Sequence, residues 1–144
     1  MTVKQILEAK GRDVATLKPE ATVGEAAAEL GRLKIGALII LDGNGGVSGI
    51  LSERDIVRCV GAKGANSLSQ PLAEVMTRKV TTCSEETTIH EAMEMMTSGR
   101  FRHLPVCTDG RLVGIVSIGD IVKRRIEDAV GEAEAMREYI AASG

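Results

Sequence analysis

The sequence predicts an α+β fold, a tandem pseudo-two-fold repeat of β-α-β-β-α units with two small sheets packed against helices. Two blocks of residues occur twice: 22–26 (TVGEA) recurs as 88–92 (TIHEA), and 49–57 (GILSERDIV) recurs as 114–122 (GIVSIGDIV). The two offsets differ by a single residue, and a glycine-rich turn between the blocks can absorb such a change in length. We therefore predict a first repeat at residues 1–71 and a second at residues 72–144, which together form one module with a cleft between them.

Helix caps and apolar periodicity predict the elements of each repeat. Thr22 with Glu25, and later Thr88 with Glu91, have the spacing of a capping box, which satisfies free amides in the first turn of a helix. The glycine-rich composition of residues 61–67 predicts a flexible loop. The other predicted elements are strands at 14–17, 37–41, 47–51, 104–107 and 112–116, and helices at 52–58, at 71–76, which resembles 3–7, and along the chain after Asp120.

The composition excludes several classes of function. The chain has 144 residues, of which 44% are hydrophobic and 1% aromatic, and its net charge is −2. Nucleic-acid binding needs a basic face and often aromatic stacking platforms, so we predict no nucleic-acid partner. Cys59, Cys83 and Cys107 form no C-x-x-C pair, which argues against a metal site and a disulfide framework. No apolar segment is long enough for a signal peptide or a membrane span, and we expect a cytoplasmic protein.

A Gly-apolar-apolar-Ser-x-x-Asp unit lies where a strand passes into a helix in each repeat, at Ser52 and Asp55 and again at Ser117 and Asp120. A helix start directs amides and the positive end of the helix dipole at an anion. An aspartate one turn later can accept hydrogen bonds from ribose hydroxyls. The unit would then bind a phosphate and a ribose. The same spacing is also a capping-box variant, and on the sequence alone both interpretations stay open.

The two repeats differ in charge just before their second strands. In the second repeat this segment is basic and contains Arg100, Arg102 and His103. In the first repeat the aligned residues are Lys34, Gly36 and Ala37. A charged run is most often a solvated face, but one beside a helix start favours a phosphate. We therefore expect the basic side to have the better site, so that Asp120→Ala would impair binding more than Asp55→Ala.

The chain resembles the cystathionine β-synthase (CBS) domain pair. The resemblance covers residues 3–125 and rests on the order of residues 35–40 (IGALII), 75–77 (VMT), 102–106 (RHLPV) and the two Ser-x-x-Asp units. It implies two pseudo-symmetric clefts between three-stranded sheets, which bind adenosine-containing ligands such as AMP, ADP, ATP, S-adenosylmethionine or NAD(H). It also implies a homodimer of pairs and a regulated protein partner.

In that family the Ser-x-x-Asp units contact phosphate and ribose, residues at the first strands border the adenine, and the Arg-His pair faces the phosphate. The candidate ligand-binding residues are therefore Thr16, Ser52, Arg54, Asp55, Thr82, Arg100, Arg102, His103, Ser117 and Asp120. Gly36 and Ala37 carry no charge, which favours one ligand over two equivalent ones.

These observations predict a regulatory module that senses an adenine nucleotide, for example in energy sensing, and has no catalytic activity. His90 and His103 have no partners at catalytic spacing, so we predict neither a catalytic residue nor a metal. The alternative is a structural or dimerisation module in which the Ser-x-x-Asp units only cap helices.

Overall fold

The computed structural model describes residues 1–143. It contains two β-sheets, one from each repeat, with helices packed against them. The helices are α1 Val3–Lys10, α2 Val23–Leu33, α3 Glu53–Lys63, α4 Leu72–Val75, α5 Ile89–Gly99 and α6 Ile118–Ser143, and the strands are β1 Thr16–Leu17, β2 Ala37–Leu41, β3 Val47–Ser52, β4 His103–Thr108 and β5 Arg111–Ser117. This order confirms the predicted α+β fold with its tandem repeat.

The two sheets are not equal. The first has the order β1-β2-β3, with β1 parallel and β3 antiparallel to β2. The second has the antiparallel pair β4-β5, and its first strand is reduced to one parallel bridge between Cys83 and Val106. A strand of four residues was predicted at 14–17, but it comprises only Thr16–Leu17. Ala15 and Leu17 of the first repeat pack against its core on either side of the exposed Thr16, whereas in the second repeat Cys83 is buried and follows the exposed Thr82.

Local hydrogen bonds set the start of the helices that follow. Thr22 Oγ1 accepts the Glu25 N–H at 3.1 Å, and Thr88 Oγ1 accepts the Glu91 N–H at 3.0 Å. In return, each glutamate side chain accepts the N–H of its threonine. The two predicted capping boxes are therefore confirmed.

Each repeat begins with a lead-in helix, α1 in the first and α4 in the second, and this helix packs in the core of the other repeat. Helix α1 buries Val3, Ile6 and Leu7 against the second repeat, whereas Leu72, at the start of α4, and Met76, just after its end, join the core of the first repeat. The contact is close because a glycine faces each lead-in. A Cβ atom at Gly114 would lie 2.8 Å from the Leu7 methyl carbons, and one at Gly49 would lie 2.5 Å from Met76 Sδ. The exchange makes the two repeats one packed unit.

The segment 61–67, predicted to be a flexible loop, is ordered. Helix α3 continues to Lys63 and stops at Gly64, where φ is +74°. A 3₁₀ turn over Ala65–Ser69 follows, and in it the Ser67 hydroxyl donates to the Gly64 carbonyl oxygen at 2.7 Å. The composition misled the prediction because Ser67 is buried, at 1% exposure, and ties the glycine-rich segment to the body.

Helix α6 is much longer than its contact with the body. Ile121 is fully buried, but every residue from 129 to 143 is exposed. No helix among residues 1–143 combines the length and apolar character that crossing a membrane requires.

Candidate functional site

A cavity of about 310 Å³ lies between the two repeats and brings together six of the ten predicted ligand-binding residues. Its volume is in the range of small-molecule sites. The first repeat contributes the junction of β3 and α3, and the second contributes the segment between α5 and β4. The six residues are Ser52, Arg54, Asp55, Arg100, Arg102 and His103.

The first wall of the cavity is the start of α3. Ser52 Oγ accepts the Asp55 N–H at 3.3 Å, and Asp55 Oδ2 accepts the Ser52 N–H at 2.9 Å and its hydroxyl at 3.0 Å. The unit therefore is a helix cap, as one of the two interpretations required. Only Oδ2 is used in this way. Asp55 Oδ1 makes no hydrogen bond within residues 1–143 and lies 3.9 Å from Arg58 Nη1.

The opposite wall is basic. Arg100 ends α5 in the left-handed conformation, with φ of 56°, which turns the chain so that Arg102 and His103 face the cavity. Five cationic side chains line the cavity, against two carboxylates: the cations are Arg54, Arg58, Lys79, Arg100 and Arg102, and the carboxylates are Glu53 and Asp55. The cavity is therefore positive in a chain whose net charge is −2.

Charged groups from both repeats shift the pKa of His103. Burial lowers its pKa, and the positive charges of Lys10 and Arg102 lower it further, while Asp120 and Glu53 partly oppose them. The imidazole is therefore held in its neutral form in the absence of a ligand, and an anion close to it would favour the protonated form.

In the matching unit of the second repeat, Asp120 forms an ion pair with Lys10. Asp120 Oδ2 accepts the Ser117 N–H at 2.8 Å and the Lys10 ammonium at 2.7 Å. Burial tends to raise the pKa of Asp120, but the hydrogen bonds from Lys10 and Ser117 outweigh it and lower the pKa below that of an ordinary carboxyl group. Neither Ser117 nor Asp120 lines the cavity. The basic segment of the second repeat thus shares its cavity with Asp55 and not with Asp120.

The remaining two predicted residues lie elsewhere. Thr16 lines a separate open depression, and Thr82 is exposed, although its neighbours Val80 and Thr81 line the cavity. Lys79 was missed by the sequence reasoning. It corresponds to Lys10 when the two lead-ins are aligned over residues 72–79 and 3–10, so that extending the alignment by three residues would have found it.

The side chains outside the cavity offer little chemistry. Burial, together with Cys107, raises the pKa of the Cys83 thiol to about 12, which leaves it protonated and a poor nucleophile. His90 is exposed on α5 and pairs only with Glu94, at 3.1 Å. Within residues 1–143, no three His, Cys, Asp or Glu side chains are grouped so that they could hold a metal ion.

Comparison with known proteins agrees with this architecture. The CBS-domain containing protein ATU1752 from Agrobacterium tumefaciens has 50% sequence identity and a TM-score of 0.82, with 86% of this chain and 92% of that chain covered. The CBS domain pair of protein MJ0100, solved in complex with 5′-methylthioadenosine and S-adenosyl-L-methionine, has 29% identity and a TM-score of 0.78, with 89% and 98% covered. The mitochondrial CBS domain-containing protein CBSX3 of Arabidopsis thaliana is 30% identical over 147 residues, which cover 96% of this chain and 71% of that protein.

The family comparison identifies both repeats separately. The model of the CBS domain matches residues 3–62 and again residues 72–127. These two segments each contain one lead-in helix, one sheet and the helices packed on it. The chain therefore belongs to the CBS domain family and contains two CBS domains.

Proposed function

We propose that the chain is a regulatory module without catalytic activity that binds an adenine nucleotide of the AMP type in the cavity between its repeats. One observation supports the proposal most strongly: the start of α3 with Asp55, from the first repeat, lines the same cavity as the basic segment 100–103 from the second repeat. The complex of protein MJ0100 with two adenosine compounds supports an adenosine ligand.

The charge of the cavity favours a phosphate on that ligand. Cationic side chains exceed carboxylates by five to two along its walls, and Arg102 with the start of α3 provides the charge-assisted donors that phosphate oxygens accept. We therefore place AMP, ADP or ATP ahead of S-adenosylmethionine, whose sulfonium is positive. NADH, which carries a diphosphate, is a further candidate.

Asp55 is the group we assign to the ribose. Its Oδ2 is engaged in the helix cap, so Oδ1 is the oxygen that can accept from a ribose hydroxyl. Val80 and Thr81 then border the adenine, next to Thr82 as expected for that segment. The carboxylate of Asp120, unlike that of Asp55, forms an ion pair with Lys10 through its Oδ2, which supports one favoured ligand per chain. The expected effect of mutation is accordingly reversed, with Asp55 more important than Asp120.

Calorimetric titration with AMP, ADP, ATP, NADH and S-adenosylmethionine tests the proposal, with thermal unfolding as a second measurement. A nucleotide at about a hundred times its Kd should raise the free energy of unfolding by about 2.7 kcal/mol. Asp55→Asn should abolish the rise, whereas the matched variant Asp120→Asn should keep most of it. Absence of any binding at millimolar nucleotide would contradict the proposal.

A second candidate function is a structural or dimerisation module. It is favoured by one observation, which is that both Ser-x-x-Asp units form helix-cap hydrogen bonds. On this view Asp55→Asn and Asp120→Asn would each lower the free energy of unfolding by about 1 kcal/mol. Nucleotides would leave the unfolding temperature of both variants and of the unmodified chain unchanged. The same titration therefore separates the two functions.

As a regulatory module, the chain would act on a protein partner and as a homodimer, and we place it in the cytoplasm. The nucleotide-dependent capture of one specific protein would establish the partner. Release of a small molecule from freshly purified, denatured protein, followed by mass spectrometry, would identify the ligand without prior choice.

A further inference from the structure

The exposed part of α6 has a regular apolar seam. Its residues recur in steps of four, three, four, three and four positions, and they are Val122, Ile126, Ala129, Ala133, Met136 and Ile140. Alternating steps of three and four place side chains along one line of a helix and are the pattern of a coiled coil. The segment matched to the CBS family ends at residue 127, so four of the six seam residues lie beyond it.

The large apolar residues of the seam pack on nothing within residues 1–143, and only the small Ala129 borders an open depression beside Met1 and Thr88. Val122 is 47% exposed, and Ile126, Met136 and Ile140 are 59–61% exposed. The helix packs on the body through a different face, which carries the buried Ile121 and the ion pair of Arg124 with Asp128. At about 100° per residue, that face lies roughly 120° around the helix from the seam. The seam is therefore free to contact another helix.

The exposed length of the helix also favours a partner. Every residue from 129 to 143 is exposed, and the segment extends about 22 Å at 1.5 Å per residue. An isolated helix of this length is marginal in water, because its stability comes largely from packing an apolar face. This segment contains two large apolar seam residues, Met136 and Ile140, that pack on nothing.

We propose that the seam pairs with the seam of a second copy of this chain, in parallel orientation, to form a two-stranded coiled coil. The core would alternate Ile126, Ala133 and Ile140 with Val122, Ala129 and Met136. Ile126 and Ile140 occupy a positions of the heptad, where β-branched residues favour two strands. This proposal is independent of the nucleotide site.

The flanking charges select the second copy and its orientation. In a parallel pair, Glu132 faces Arg137 of the partner subunit, and the contact occurs twice by symmetry. In an antiparallel pair, Glu132 would face its own counterpart, and Lys123 would face Arg137 of the partner subunit. Opposite charges meet in the first arrangement and like charges in the second. The charge pattern therefore favours parallel self-association.

Sedimentation velocity of the full chain, over a range of concentrations, tests the pairing. The unmodified chain should form dimers, and Met136→Glu with Ile140→Glu should weaken dimerisation at least tenfold. Ala135→Glu is the control, since it adds the same charge next to Met136 but away from the seam. A monomer at all concentrations overturns the proposal, as does a double variant that dimerises as tightly as the control. If the double variant dimerises as tightly as the control, the dimer is formed by the body of the protein and not by the seam. The proposed nucleotide site is unaffected by that outcome.

Orientation is tested by crosslinking and by charge exchange. In a parallel pair each seam residue meets its own copy, so Ala133→Cys should form a disulfide between two chains under oxidation, and Ala135→Cys should not. Arg137→Glu should weaken dimerisation, and addition of Glu132→Arg should restore it. Equal crosslinking at both positions, or no recovery in the exchanged pair, overturns the parallel arrangement.

Discussion

At the scale of single residues, Lys34 and Arg100 form a natural matched pair. They end the equivalent helices α2 and α5 in the left-handed conformation, with φ of 55° and 56°. A glycine relieves the backbone strain at either position to the same extent. Of these two residues, only Arg100 lines the cavity. A difference in nucleotide affinity between the two glycine variants therefore measures the effect of removing the Arg100 guanidinium from the site.

We predict that Arg100→Gly raises the Kd for AMP about tenfold to a hundredfold, as expected for the loss of a charge-assisted hydrogen bond worth about 1.5–3 kcal/mol. Lys34→Gly should leave the Kd within about twofold of that of the unmodified chain. Isothermal titration measures both values. Equal Kd values for the two variants would argue against a role of Arg100 in binding.

His103 makes stability depend on pH. Its pKa is lowered in the folded chain by burial and by Lys10, so that, below the ordinary histidine value of 6.5, the unfolded chain binds more protons than the folded one. The stabilisation is complete above that value and is lost as the pH falls through the folded pKa. Between about pH 7.5 and about pH 5, the Tm of the unmodified chain should fall further than that of His103→Gln.

The exposed His90 supplies the control for this titration. His90→Gln removes the other histidine of the chain, which is exposed on α5 and lies outside the cavity. Thermal unfolding followed by circular dichroism measures all three curves. If His103→Gln loses as much stability on acidification as His90→Gln, then His103 does not titrate in this way.

At the scale of elements, the contact between a lead-in and a strand depends on a glycine. We predict that Gly49→Ala and Gly114→Ala each lower the free energy of unfolding by about 1–3 kcal/mol, because the new methyl group overlaps Met76 or Leu7 in a packed core. Gly131→Ala is the control: nothing lies within 4 Å of a Cβ atom there, and α6 should gain about 0.5–1 kcal/mol. Urea denaturation gives the three values, and a neutral Gly114→Ala would show that α1 adjusts its position.

Most individual elements could be predicted because their signals are local. The capping boxes at Thr22 and Thr88 lie within four residues of sequence, and so do the turns that join the strands of each sheet. The first strand of the second repeat was expected to match that of the first, but only Cys83 pairs. No local pattern distinguishes these two cases, since the length of such a strand depends on what packs beside it.

Which of the predicted residues line the same cavity was harder to predict from the sequence. Ser52, Asp55 and the basic segment were each predicted as candidates, yet the sequence suggested a grouping of that segment with Asp120. The pseudo-two-fold arrangement instead places residues about fifty positions apart in the same cavity. A tertiary arrangement of this kind is not encoded in the spacing of any one motif.

At the scale of the whole molecule, neither repeat contains a complete core of its own. Residues 1–71 lack Leu72 and Met76, which pack in the first core, and residues 72–144 lack the α1 residues of the second. The predicted domain boundary after residue 71 therefore divides both cores. We predict that the fragment 1–71 is largely unfolded by circular dichroism, and that the full chain unfolds in a single transition.

The fragment 11–77 is the appropriate comparison, because it omits α1 and includes α4, and therefore contains the complete first core. Its helical signal and resistance to urea should exceed those of fragment 1–71. Equal behaviour of the two fragments would show that the exchanged lead-in contributes little to the first core.

The exchange of lead-ins also has a consequence for the order of events during synthesis. Helix α1 leaves the ribosome before the rest of the two repeats, yet the surface that covers Leu7, next to Gly114 on β5, is made more than a hundred residues later. At about 5–20 residues per second, the apolar face of α1 stays uncovered for roughly 5–20 seconds. Docking of α1 is thus a late step that closes the second repeat, and Lys10 reaches Asp120 only at that step.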